Sequence, residues 1–383
     1  MHAHTAYNER ELFIATLLQQ RPPRVPFTPG EGRESTLRNW HSQGLPPEIT
    51  NCYRYVQELL GITPARGSDC ARVDPEINFR MNPQFEEKVI ERRARTLIVQ
   101  DWKGNICEIS DQYDNRYLRN AIDFVTRRWI RCPIESREDW AGMMRRYRAD
   151  DPTRLPKDFS DRAKLLKDRD YVAPLVFPGP FWQLREWMGL ENLCMAFVEQ
   201  ADFIKEMIAF WQRFVTDLLM RVFDEFVPDI VTINEDMAYK EKSMIGPQMA
   251  SEFLLPCWRQ WCGCCRRASV PIIEIDSDGH IGDLIALWIE AGVNCTSPLE
   301  VAAGNDLPDY RQRFGDRLAY RGGVDKRAIA AGGEKIRAEI ARVEPVIAAG
   351  GYIPGCDHAV PANVSWQNYV DYCRLLAQAT GHL

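Results

Sequence analysis

From Tyr171 to the C-terminus, short apolar runs alternate with longer segments whose apolar residues return at helical spacing. The clearest unit runs from Pro271 to Glu300. Pro271-Ile272-Ile273-Glu274-Ile275 reads as a buried strand, since a nearly unbroken apolar run leaves no solvent face. Asp276, Asp278 and Asp283 follow, with Gly279 and Gly282 as turn signals between them. Leu284, Ile285, Leu287, Trp288 and Ile289 then keep helical spacing, and Gly292 stops the helix. A further strand over 293–299 closes on Glu300.

The same pattern predicts strands over 24–29, 171–177, 229–233, 318–320 and 351–353, each followed by polar residues. Helices are expected over 9–20, 34–41, 192–226 (two helices or one broken one), 247–267 with a kink at Pro256, 334–349 and 366–380. A capping box from Ser136 to Asp139 opens another helix, running through Arg148. One departure from the rhythm is the pair of runs 95–100 and 106–110. They flank Asp101-Trp102-Lys103-Gly104-Asn105 and read as a β-hairpin inserted before the regular units.

Strands alternating with helices imply a parallel sheet. No GxGxxG follows the first strand, and polar residues sit after nearly every strand rather than at one switch point. The expected fold is therefore a (β/α)8 TIM barrel with an N-terminal extension and a β-hairpin insertion. It forms one domain over 1–383, with 1–23 as a helical lead-in and about 90–170 as the insertion-rich segment. Seven strands are assigned and the eighth is left open.

Composition narrows the classes. A 45% hydrophobic content suits a large core, and a net charge of −6 argues against nucleic acid or anionic membrane as a partner. No apolar run is long enough to span a membrane and the N-terminus lacks a signal-peptide pattern, so a cytoplasmic location is expected. The 12 cysteines then read as reduced thiols. Cys257, Cys262, Cys264 and Cys265 lie on one helical stretch with no second CxxC pair, which favours buried thiols over metal ligation.

The strand exits carry Arg33, Glu235 and Asp236, Asp276 and Asp278, Glu300, Arg321 with Asp325, and Asp357 and His358. A barrel brings such residues to one face. Carboxylates crowded there repel one another unless a cation or protons intervene. One histidine with two or three carboxylates is a workable set for Zn²⁺ or another divalent ion, and Asp278, Glu300 and His358 are the expected ligands, with Glu235 a candidate fourth. Each residue also has a plainer role open to it. Asp276 or Asp278 could cap the following helix, Glu300 could pair with Arg321 or Arg33, and His358 could be a hydrogen-bonded loop residue.

Four stretches, VPFTPGEGRESTLRNW, DIVTINEDMAYKEKSMIGPQMASEFLLP, IDSDGHIGDLIALWIEAGVNCTSPLE and GGYIPGCDHAVPANVSWQNY, resemble the uroporphyrinogen decarboxylase-like superfamily. That superfamily holds decarboxylases and the methyltransferases that serve corrinoid proteins, and its fold is a (β/α)8 barrel. The decarboxylases carry two arginines in a strand exit of the form M-R-Q-A-G-R-Y-L-P, and here only Arg33 matches, the first falling on Pro29. The methyltransferases use an H-x-C pair and a later cysteine as zinc ligands. Here the pair falls on Asp276 and Asp278, and the later cysteine at or near Cys356.

An oxygen-rich metal site suits polarising an ether or phenol oxygen. The resemblance thus implies a methyltransferase that takes a methyl group from a small methylated substrate, such as an aromatic methyl ether. A corrinoid on a separate carrier protein receives the methyl group. Glu235, Asp236, Tyr239 and Lys240 are the catalytic candidates for substrate positioning or proton delivery, and Arg33 and Arg321 the substrate-binding ones. Alternatives are a cofactor-free decarboxylase or lyase, with Arg33 and Arg321 holding a carboxylate, and a non-catalytic binding barrel. A homodimer is expected by analogy with other barrels.

Overall fold

The structure, a computed structural model, describes residues 7–68, 70–114, 117–120 and 125–383; residues 1–6, the start of the expected lead-in, lie outside the described residues. Two sheets organise it. The first is antiparallel, with strands β1 (Lys88–Arg92), β2 (Thr96–Gln100), β3 (Ile106–Ser110) and β4 (Arg128–Arg131) in sequence order. The second is parallel and has six strands: β5 (Pro174–Pro178), β6 (Ile230–Asn234), β7 (Ile272–Asp276), β8 (Cys295–Ser297), β9 (Ala319–Val324) and β10 (Tyr352–Cys356).

Every parallel strand lies beside its neighbour in sequence, from β5 to β10. No reversal of order occurs among them, so this sheet lacks the switch point of a doubly wound fold. β6 and β7 are buried at all but their last residue, as parallel strands covered on both faces must be. The covering helices present apolar stripes. In Ala201–Phe223 the buried positions Phe203, Ile204, Met207, Ile208, Trp211, Phe214, Val215, Leu218, Leu219 and Val222 fall three or four apart. Trp261, on Leu255–Arg267, meets Phe177 of β5 edge to face at 5.2 Å. None of the described helices is long and apolar enough to cross a membrane.

Three expectations change in detail. The 24–29 run is extended beside β10, with the Cys356 N–H donating to Pro29 O at 3.1 Å, but it forms no ladder. Pro26 and Pro29 have no N–H to give one. The expected kink at Pro256 is instead a break at Leu254 between Pro247–Phe253 and Leu255–Arg267. Pro256 sits in the first turn of the second helix, where a missing N–H is harmless. The hairpin is real, with Gln100 opposite Ile106, but it is the centre of a four-stranded sheet. Its flanking strands β1 and β4 are almost wholly exposed and charged, so no apolar alternation marked them.

A buried arginine ties the insertion to the stretch that precedes it. Arg154 donates to the carbonyls of Arg148, Asn78 and Arg146 at 3.0, 3.2 and 2.8 Å, and also to that of Arg80. It thereby fixes the segment that ends at Met81 against the turn after the helix Arg137–Met144. Replacing Arg154 by Met removes all of these bonds. We expect a loss of about 2–5 kcal/mol of stability, read by urea unfolding, with the far-ultraviolet spectrum of the folded protein unchanged.

Candidate active site

Two adjoining cavities open at the C-terminal ends of the parallel strands, one of about 510 Å³ and one of about 680 Å³. Gly30, Glu31, Asp276, Pro298 and Cys356 border both, so they form one chamber. The first cavity is acidic, with Asp236, Asp278, His358, Asn234 and Trp182 completing it. The second extends inward past Ser297 to Arg321 and Tyr53.

Asp276 is the last residue of β7, and so projects where the two cavities meet. Its Oδ2 accepts from Ser297 Oγ at 3.1 Å. Burial pushes its carboxyl up to about 7, and the nearby charges of Glu274 and Asp278 push the same way. It is therefore a carboxyl that keeps a proton near neutral pH. Asp278, two residues on, faces His358 with Oδ2 at 3.3 Å from Nε2. Nδ1 of that ring accepts the Ala359 N–H at 2.7 Å and lies 3.2 Å from Arg33. With donors on the Nδ1 side, the neutral ring carries its proton on Nε2 and donates to Asp278. Asp278 also raises the pKa of the ring. Neither Asp276 nor Asp278 caps a helix, since the next one, Ile285–Ala291, begins after Leu284.

Glu300 is committed elsewhere. Its Oε1 accepts from Lys326 Nζ at 2.7 Å and its Oε2 from the Gly279 N–H at 3.0 Å. Of the three expected metal ligands, the structure thus brings Asp278 and His358 together, while both oxygens of Glu300 answer a lysine and a backbone amide. Among the described residues no three His, Cys, Asp or Glu side chains gather as a ligand set. The residues as placed do not fit a three-ligand divalent site.

The four catalytic candidates separate. Glu235 is fully buried and away from the chamber. It accepts the N–H groups of Phe181 and Trp182 at 3.0 and 3.2 Å, and also Trp258 Nε1–H. It anchors the N-terminus of the helix Pro180–Met188. Burial pushes it up to about 8 against those three donors. Gly179 must lack a side chain there, because a Cβ would lie 2.2 Å from the Glu235 carboxyl carbon. Asp236 does line the acidic cavity, in a left-handed conformation with φ of 37°. Arg185 holds both its carbonyl and its carboxylate at 2.9 Å, while burial raises its pKa. Tyr239 and Lys240 are exposed and line neither cavity.

Of the two substrate-binding candidates, Arg321 reaches the inner cavity but gives Nη1 to both oxygens of buried Glu274, at 2.9 and 3.0 Å. Arg33 stands against His358 instead. Asp325 caps the helix Lys326–Ala331, and Asp357 is buried and accepts the Val301 and Lys326 N–H groups. The four clustered cysteines are buried free thiols, as their helical setting implied.

Sequence reasoning named Trp182 among the aromatic residues that could line a pocket, but gave Asn234 and Glu31 no role. Asn234 Oδ1 is buried without a hydrogen-bond partner in this acidic cavity, and its only sequence signal is its place at the end of β6.

The fold is an α/β one with a parallel sheet in sequential strand order. It is similar to that of a methyltransferase from Methanosarcina mazei, over 98% of this chain and 98% of that chain, with a TM-score of 0.58 at 13% identity. A B12-independent methionine synthase from Shewanella sp. W3-18-1, in complex with selenomethionine, aligns over 94% of this chain and 97% of that chain. Its TM-score of 0.40 at 10% identity is too low to bear on the fold. No family model and no curated protein matches the sequence.

The buried Glu235 yields a pH test. A carboxyl whose pKa rises on folding holds a proton in the folded state that the unfolded chain releases. Its stabilising contribution is full below the ordinary glutamate pKa of 4.5 and is lost progressively as pH climbs from there to about 8. Urea unfolding across this range should show stability falling with pH, and Glu235→Gln should make the fall shallower. An unchanged slope would place the titration elsewhere.

Proposed function

We propose that the protein is a methyltransferase on a (β/α)8 barrel, taking a methyl group from a small methylated substrate such as an aromatic methyl ether. The acceptor is a corrinoid carried by a separate protein, and it supplies the nucleophile that receives the methyl group. The structural likeness to a methyltransferase supports the class. The observation that carries the reading is Asp276, a carboxyl with a pKa near 7 at the border of the two cavities.

When the methyl carbon leaves an ether oxygen, that oxygen keeps the bonding electron pair and becomes an alkoxide or phenoxide. It needs a proton or a cation as the bond breaks. Asp276 delivers that proton, and Ser297 orients the carboxyl through its hydroxyl. Burial first, and then the charges of Glu274 and Asp278, keep the acid protonated. Trp182 offers an indole wall for the substrate, and Asp236, fixed by Arg185, positions it. The expected divalent ion enters no step, because Glu300 is committed to Lys326 and Gly279.

A decarboxylase or lyase holding a carboxylate on Arg321 is the weaker reading. Arg321 does line the inner cavity, but its charge already answers Glu274.

The test is methyl transfer from a panel of methyl ethers to cob(I)alamin. The rate should fall as pH rises through about 7, where the Asp276 proton is lost. Asp276→Asn should lower the rate by about 100-fold or more and abolish that limb of the profile. Full activity in this variant would remove Asp276 from the chemistry.

A further inference from the structure

The tip of the inserted hairpin reaches the barrel. Its turn lays Trp102 and Lys103 beside the helix Pro180–Met188, where Lys103 pairs with Glu186. Between tip and barrel lies a cavity of about 360 Å³, walled by Phe79, Trp102, Tyr147 and Trp182. Trp182 also lines the acidic cavity, so one indole stands between the two spaces. Val176 of β5 belongs to the lining as well and is 53% exposed, an apolar strand residue left uncovered by the protein itself.

The charge here has the opposite sign to that of the chamber. Arg80 and Lys103 line this cavity against one carboxylate, Glu186, which Lys103 already answers. The Arg80 guanidinium lies 5.3 Å from the Trp102 ring centre and is exposed, with no carboxylate partner among the described residues. Lys103 stands 5.3 Å from the same ring. Burial pushes the Lys103 pKa down to about 8; Asp101 opposes this, while Arg127, Arg80 and Arg185 add to it. Aromatic walls favour a flat ring, and a guanidinium beside an indole favours a carboxylate attached to it.

We propose that this cavity binds a planar aromatic ring bearing a carboxylate, with the ring between Trp102 and Trp182 and the carboxylate on Arg80. The binding itself stands apart from methyl transfer. Its role as the subsite that holds the substrate's ring rests on the proposed function, and Trp182 is then the wall shared by the ring and the reacting group.

Calorimetric titration of the full chain with benzoate and with neutral benzamide tests the site. Benzoate should bind more tightly than benzamide. Arg80→Gln should weaken benzoate by about tenfold or more and leave benzamide unchanged. Trp102→Leu should weaken both ligands, and Trp102→Phe, which keeps a ring, should retain most binding of both. Equal affinity for the two ligands, or unchanged benzoate binding in Arg80→Gln, overturns the proposal. Asp276→Asn should bind benzoate normally. Absence of methyl transfer with any donor, alongside an Arg80→Gln defect confined to benzoate, would sink the methyltransferase reading and leave the site standing.

Discussion

A carboxyl withdrawn from water stays charged only if a cation or several donors answer it, and otherwise it keeps a proton. The strand ends of this parallel sheet solve that problem differently at each residue. Glu300 has Lys326, Glu274 has Arg321 and Asp236 has Arg185. Glu235 has three N–H donors, two of them from a helix N-terminus, yet full burial outweighs them and pushes its carboxyl up to about 8. Asp276 is buried with a serine hydroxyl and two carboxylate neighbours, and Arg321, given to Glu274, offsets them only in part, so the proton remains on it. Among the acids that line the chamber, Asp276 is thus singled out by what its neighbours leave undone, and it lies where the cavities join.

The rest of the architecture serves that arrangement. Sequential parallel strands put Asn234, Asp276, Ser297 and Cys356 at one end of one sheet, although they are far apart in the chain. The helix Pro180–Met188 is tied to that end through Glu235, and it carries Trp182 and Arg185 into position. Gly179 permits this close approach, because any side chain there would meet the Glu235 carboxyl. The insertion sheet then closes over the same helix through Lys103 and Glu186. Both walls of the indole at Trp182 depend on that single helix.

Much of the fold was legible because buried parallel strands and amphipathic helices leave strong patterns. β6, β7 and the long helix Ala201–Phe223 are of this kind. The 24–29 run was legible as extended chain, but the consequence of its two prolines for hydrogen bonding was not drawn. β1 and β4 escaped notice because strands exposed on both faces carry no hydrophobic period. In the site, position at a strand end was readable, and Asp236, Asp278 and His358 border one cavity, with Asp278 beside His358. Partner choice was not readable. Lys326 competes for Glu300, and Trp258 with two amides captures Glu235, through contacts between residues 23 to 54 positions apart.

The account depends most on Asp276 holding its proton near neutrality. Carbon-13 NMR of protein labelled at aspartate carboxyls, with Asp276→Asn to assign the resonance, measures this directly. The account predicts a titration midpoint near 7 for Asp276. A midpoint in the ordinary aspartate range of about 4 would contradict it, leaving a charged carboxylate where the reaction needs an acid.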